Sequence, residues 1–119
     1  MDFGNFSVSL NVKSVAASQD FYEKMGFKVI DGGHMHDDYQ DKEGERWRIM
    51  QKDTVNIGLF EGMFEKNIMT FNPPDVRAIQ KKLKAQGITL TTEADTKTEG
   101  PGFITLEDPD GNQIMFDQW

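Results

Sequence analysis

The sequence predicts an α+β domain of two tandem βαβββ units, with a curved mixed sheet inside and helices outside. Three observations predict it. Short stretches alternate apolar and polar residues, two longer ones carry an apolar stripe at helical spacing, and the second half repeats the first at a fixed offset. Leu10 and Phe71, Val15 and Val76, Gly26 and Gly87, and Phe27 and Ile88 are each 61 positions apart. Such a match across half a chain marks an internal duplication.

In the first unit, taken as residues 1–61, Val8, Leu10 and Val12 point one way and Ser7, Ser9 and Asn11 the other, which is a half-buried strand. Ser14 offers an N-cap. Val15, Ser18, Phe21, Tyr22 and Met25 then form a mostly apolar helical stripe, and Gly26 closes the helix. Strands follow from Phe27 to Ile30, Arg46 to Met50 and Val55 to Phe60. DKEG (Asp41 to Gly44) and Lys52-Asp53 supply turns.

The second unit, residues 66–119, opens with Met69 and Phe71 alternating with Thr70. Asn72 can cap a helix and Pro73 or Pro74 suits its first turn. Val76, Ile79 and Leu83 make its stripe, and Gly87 stops it. Strands are expected at Ile88 to Thr92, Phe103 to Glu107 and Gln113 to Asp117, with DPDGN (Asp108 to Asn112) as the last turn.

At 119 residues the chain is expected to be a single domain. A domain this size buries roughly two-thirds of the surface its unfolded chain exposes, enough for a core without staples. There is no Cys, which excludes disulfides, thiolate metal sites and a cysteine nucleophile. The net charge of −7 argues against nucleic acid as a partner and favours a neutral or cationic ligand. No apolar run reaches the length of a membrane span, and the first residues lack the pattern of a signal peptide. The expectation is a cytoplasmic protein with no membrane partner.

SVSLNVKSVAASQDFYEKMGF, MTFNPPDVRAIQKKLKAQGI and EDPDGNQIMF together resemble the vicinal oxygen chelate superfamily, which includes glyoxalase I, extradiol dioxygenases and the fosfomycin- and bleomycin-resistance proteins. The resemblance covers essentially the whole chain. It implies a glyoxalase/bleomycin-resistance-like cup-shaped sheet and a homodimer. Metal-using members hold a divalent ion with four side chains, two per unit, from the first and last strands. The matching positions here are Ser7, Gly58, Ile68 and Met115, and none is a good ligand for an oxygen-loving ion. The expectation is therefore no metal and no cofactor.

The remaining candidates line the same expected face. Ser9, Asn56, Phe60 and Thr70 join the four positions as a largely neutral wall suited to a small organic ligand. Trp47 and Ile49 alternate with Arg46 and Arg48. Trp47 suits stacking and Arg48 suits an anion, against a competing reading of a core tryptophan and solvated arginines. Trp119 is a further stacking candidate. His34 and His36, if extended, face one side with Asp37, Asp38 or Asp41 nearby; the competing reading is an exposed loop. Glu61 and Glu65 are candidate bases that spacing does not single out. TKTEGPG (Thr96 to Gly102) reads as a mobile loop bordering the cup.

The leading expectation is a metal-independent protein that sequesters a small organic ligand, in the manner of the bleomycin-resistance proteins. The alternative is a glyoxalase-type lyase, isomerase or dioxygenase with displaced metal ligands. A third reading is a structural dimer with a filled cup. The sequence leaves open whether any reaction is catalysed.

Overall fold

The computed structural model describes all residues, 1–119. It is an α+β fold. Its contacts divide the chain into two compact units, Ser7–Asn67 and Ile68–Trp119, with Met1–Phe6 belonging to the latter. The first six residues join the later half because Phe3 meets Phe71 and Phe116 edge-on at 5.2 and 4.8 Å, and Phe6 meets Phe71 at 5.0 Å. Gly4 is required there: at φ 69°, a Cβ would stand 1.8 Å from the Asn72 carbonyl oxygen.

The N-terminal unit contains β1 (Asn5–Val12, whose first two residues fall in the other unit), α1 (Val15–Lys24), β2 (Lys28–Gly32), a 3-10 turn at Gly33–Met35, β3 (Arg46–Lys52) and β4 (Val55–Glu61). Its strands run in the order β2-β3-β4-β1. β3 is antiparallel to β2 and β4, and β1 is parallel to β4. Val15, Met50, Ile57 and Leu59 form the core, with Leu10, Val12, Tyr22, Phe27 and Val29 around it. Leu10 and Val12 therefore face α1, as their alternation predicts.

The stripe on α1 is narrower than predicted. Val15 is buried and Tyr22 half-buried, but Phe21 and Met25 are exposed. A helix turns by 100° per residue, so positions seven apart share a face and the pair at 21 and 25 is carried outward.

The C-terminal unit contains β5 (Ile68–Asn72), α2 (Val76–Ala85), β6 (Gly102–Glu107) and β7 (Gln113–Gln118), with strand order β5-β7-β6. Val76, Ile79, Ile104, Leu106 and Phe116 form its core, with Leu83 and Ile114 beside them.

The predicted strand at Ile88–Thr92 is absent. Only Thr91 and Thr92 pair with Thr105. The chain that follows is held by helix side chains instead. The buried Gln80 amide brackets Ala94, donating to its carbonyl at 3.2 Å and accepting its N–H at 2.7 Å. Arg77 donates to the carbonyls of Asp95 and Gly100, both at 2.7 Å, and to the Thr98 hydroxyl at 2.8 Å. The TKTEGPG segment, read from sequence as mobile, is thus tied to α2 by two guanidinium nitrogens at Thr98 and Gly100, while the third holds Asp95 just before it.

The duplication is visible in the helix ends. Ser14 accepts from the Ala17 N–H and Asp75 from the Ala78 N–H, each at 3.1 Å. Asn72, the cap expected from sequence, instead donates to the Asp117 carbonyl at 3.0 Å. Pro73 and Pro74 lie before the helix, and the 61-residue offset from Ser14 leads to Asp75. At the other ends Gly26 and Gly87 take positive φ, and Phe27 and Ile88 donate back to Tyr22 and Leu83. This is the glycine-closed turn that satisfies the last carbonyls of a helix.

A second match ties each helix to its sheet. The Val15 N–H donates to Glu61 Oε1 at 2.8 Å, and the Val76 N–H donates to Gln118 Oε1 at 2.9 Å. Both valines are buried, and both acceptors end the last strand of their own unit. Glu61, a candidate base in the sequence, is thereby committed to the helix end and to Arg46 at 3.2 Å.

Replacing Glu61 or Gln118 by Ala is expected to cost about 1–3 kcal/mol, the penalty for orphaning a buried N–H. Glu61→Gln keeps an acceptor for Val15 and loses less. Urea denaturation of the three variants measures this, and equal losses for Glu61→Gln and Glu61→Ala would contradict the cap.

Candidate functional site

In the N-terminal unit, cross-strand register sorts residues onto two faces. Arg46 opposes Glu61, Arg48 opposes Leu59 and Met50 opposes Ile57 on the α1 side. Trp47 opposes Phe60, Ile49 opposes Gly58 and Gln51 opposes Asn56 on the other. Ser9 pairs with Gly58, and Ser7 and Ser9 are buried. Six of the expected wall residues, Ser7, Ser9, Trp47, Asn56, Gly58 and Phe60, thus share this face, the one turned away from α1. Arg48 does not: the alternation that aims Trp47 one way aims Arg48 the other.

Trp47 is only 7% exposed. Its indole stacks on Phe60 at 6.3 Å with a 5° interplanar angle and on His36 at 5.6 Å with 16°. Phe64 meets Phe60 at 4.9 Å, extending the series to four rings. Gly58 makes the Phe60 position possible, since a Cβ there would lie 2.5 Å from the Phe60 ring. Gln51 Nε2 donates to Asn56 Oδ1 at 2.9 Å at the far end of the face. The result is an aromatic end and an amide end on one sheet surface.

The 33–41 segment holds the tryptophan in place. Trp47 Nε1 donates to the Tyr39 carbonyl at 2.8 Å. Asp41 accepts the Trp47 backbone N–H at 3.3 Å and pairs with Arg48 at 2.8 Å, both side chains being largely covered. Arg48 is therefore spent on the loop, which accounts for its cost of burial. The two histidines are not extended side by side, because Gly33–Met35 forms a 3-10 turn. His34 is exposed, while His36 Nε2 lies 2.6 Å from Asp31 Oδ1.

In the C-terminal unit, Thr70 opposes Met115, which opposes Thr105 on its other side. Ile68 and Thr70 are buried and Met115 is half-buried, on the face turned away from α2. Met69, Phe71, Ile114 and Phe116 take the alternate positions. Ser9–Gly58 and Thr70–Met115 are matching register pairs, so the repeat places Gly58 and Met115 at equivalent points.

The positions that resemble metal ligands do not fit a divalent ion. Ser7 and Gly58 offer one hydroxyl, and Ile68 and Met115 offer no oxygen or nitrogen. A longer side chain at Gly58 would displace the Phe60 ring. Elsewhere, no three His, Cys, Asp or Glu side chains come together.

One residue that the sequence reading passed over stands out. Asp117 lies on the same face as Met115, opposite Phe103. It is half-buried and makes no ion pair; its only side-chain partner is the Trp119 indole N–H at 3.2 Å. Burial pushes its carboxyl above the usual value near 3.8, and the indole hydrogen bond only partly offsets this. The alternation that placed Met115 would have placed Asp117 there as well.

Because its folded pKa is raised, ionising Asp117 costs stability as the pH rises from the unfolded value near 3.8 through the folded one. Asp117→Asn is expected to melt higher than the parent at neutral pH, with the gap closing at about pH 3, below both values. Melting curves across that range check this, and a gap that widens towards acid would contradict it. Gly58→Ala is expected to displace Phe60 and cost about 1–3 kcal/mol through overpacking, with loss of the near-UV circular dichroism of the ring stack. An unchanged spectrum would contradict the seat.

The fold has many solved relatives. A glyoxalase/bleomycin resistance protein/dioxygenase superfamily member from Vibrio splendidus 12B01 is 17% identical with a TM-score of 0.64, covering 97% of this chain and 98% of its own. Methylmalonyl-CoA epimerase from Mycobacterium tuberculosis gives 14% and 0.64 over 98% and 87%. A structure described as NAD-dependent benzaldehyde dehydrogenase from Legionella pneumophila gives 16% and 0.71 over 95% and 97%. At these identities the likeness is one of fold. No curated protein matches the chain in sequence. The sequence model of the Glyoxalase/Bleomycin resistance protein/Dioxygenase superfamily matches residues 6–116. With that span matched and the βα repeat in place, the chain belongs to the glyoxalase/bleomycin resistance protein/dioxygenase superfamily.

Proposed function

We propose that this protein binds a small, partly aromatic organic ligand without a divalent metal, in the manner of a sequestering member of its superfamily. The observation that carries the reading is the ring series His36, Trp47, Phe60 and Phe64 on one sheet face, with the amides of Gln51 and Asn56 beyond it. Aromatic faces recognise flat or cationic groups, and a few polar groups orient them. The residues at the family's metal-ligand positions support the metal-independent part.

Arg48 enters this reading as a support for Trp47 through Asp41, not as an anion contact. A homodimer and a cytoplasmic location belong to the same proposal. The exposed Phe21 and Met25 on α1 support association. No helix is long and apolar enough to cross a membrane.

The second reading, a lyase, isomerase or dioxygenase with displaced ligands, draws on one observation. The Asp31–His36 pair is a short contact beside Trp47. It has the composition of a proton-transfer pair, but supplies only two of the three or more protein ligands that a metal needs.

A thermal-shift panel of flat aromatic amines, with a bleomycin-type glycopeptide among them, tests the proposal on tag-free protein. A binder is expected to raise the melting temperature equally with and without EDTA, since a ligand that favours the folded state stabilises it by mass action. Phe60→Ala is expected to abolish the rise. A shift that EDTA removes would favour the enzyme reading, and a shift that survives Phe60→Ala would displace the site from the ring series.

A further inference from the structure

We infer that Phe103, Asp117 and Trp119 form a binding site for a small organic cation, an ammonium group on a compact apolar body. The three side chains share one face of the C-terminal unit. Register sets Phe103, on the neighbouring strand, across from the Asp117 carboxylate, and the indole hydrogen bond brings Trp119, just past the end of β7, to the same carboxylate.

The burial is the reverse of what a structural role requires. Phe103 is 48% exposed and Trp119 is 67% exposed, so the large apolar surfaces face outward. Asp117 is the half-buried member, although a carboxylate is costly to bury unpaired. Of the other partly covered acids, Asp41 faces Arg48, Asp31 faces His36, Glu61 faces Arg46, and Asp108 accepts three hydrogen bonds from Asp110 and Asn112. Asp117 has only the indole N–H of Trp119. That bond turns the indole edge to the acid and ties the ring to it.

An uncompensated negative charge flanked by exposed aromatic rings selects its ligand by chemistry. An ammonium group gains from the carboxylate and from ring faces, most of all where water is excluded. A methylated ammonium suits such a setting better than a hydrated metal ion, which needs several oxygen ligands where this place offers one carboxylate. Anions are disfavoured by Asp117 and by the net charge of −7. The site lies wholly within one unit and does not rest on the Trp47 face, so either reading can fail without the other.

Choline and its neutral isostere 3,3-dimethylbutanol, titrated into the 15N-labelled protein, separate charge recognition from apolar contact. Two indole N–H signals are expected, that of Trp119 being assigned by its loss in Trp119→Phe. Choline is expected to move the Trp119 signal saturably while leaving that of Trp47, which is bonded to Tyr39, in place. The isostere is expected to move neither, and Asp117→Asn is expected to weaken the choline response on the order of tenfold. The inference is overturned by an equal response to the isostere, by an unchanged choline affinity in Asp117→Asn, or by a shift that sodium chloride reproduces at matched ionic strength.

Discussion

The structure depends on a single device used twice: a side chain at the end of each unit's last strand receives the first N–H of that unit's helix. Glu61 does this for Val15 and Gln118 for Val76. A helix start leaves four N–H groups without partners, and burying one against a sheet is tolerable only with an acceptor supplied. The bond fixes where along the sheet each helix begins. From there the apolar stripe meets Met50, Ile57 and Leu59 in one unit and Ile104, Leu106 and Phe116 in the other. Once one sheet face is committed to the helix, alternation fixes which residues the opposite face presents.

That division of faces governs the site. Gly58 leaves room for Phe60, Phe60 stacks on Trp47, and the 33–41 segment locks Trp47 through Tyr39 and Asp41. The residues at the positions resembling metal ligands are therefore integrated into a different surface. At Gly58 the absence of a side chain has a packing use, which a carboxylate would destroy. The superfamily's fold is retained while the residues at these places supply one hydroxyl and no carboxylate or imidazole.

Much of this was legible in the sequence because it follows from period and offset. The 61-residue repeat located both glycine-closed helix ends, and alternation assigned Leu10, Trp47, Met115 and Phe116 to their faces. The same offset pointed to Asp75 as the second cap, yet Asn72 before two prolines looked the more familiar signal. The strand at Ile88–Thr92 shrinks to Thr91 and Thr92 beside Thr105, and the chain just beyond it is fixed at Ala94 and Asp95 by Gln80 and Arg77 on the helix rather than by a ladder. Long-range side-chain to backbone bonds leave no periodic trace. Phe21 and Met25 were drawn into the stripe on α1 by their hydrophobicity although their angular position carries them outward. Asp117 was missed for a different reason: its place on the strand was readable, but its desolvation and lack of a cationic partner are tertiary facts.

We propose that this superfamily member works without a divalent ion, because Ser7, Gly58, Ile68 and Met115 supply one hydroxyl and no carboxylate or imidazole. Elemental analysis of tag-free protein, purified without chelator and dialysed against a mixture of zinc, manganese, nickel and iron(II), tests it most directly. The account predicts only substoichiometric metal and no dependence of the residue on any one ion. One tightly held equivalent per chain would contradict it.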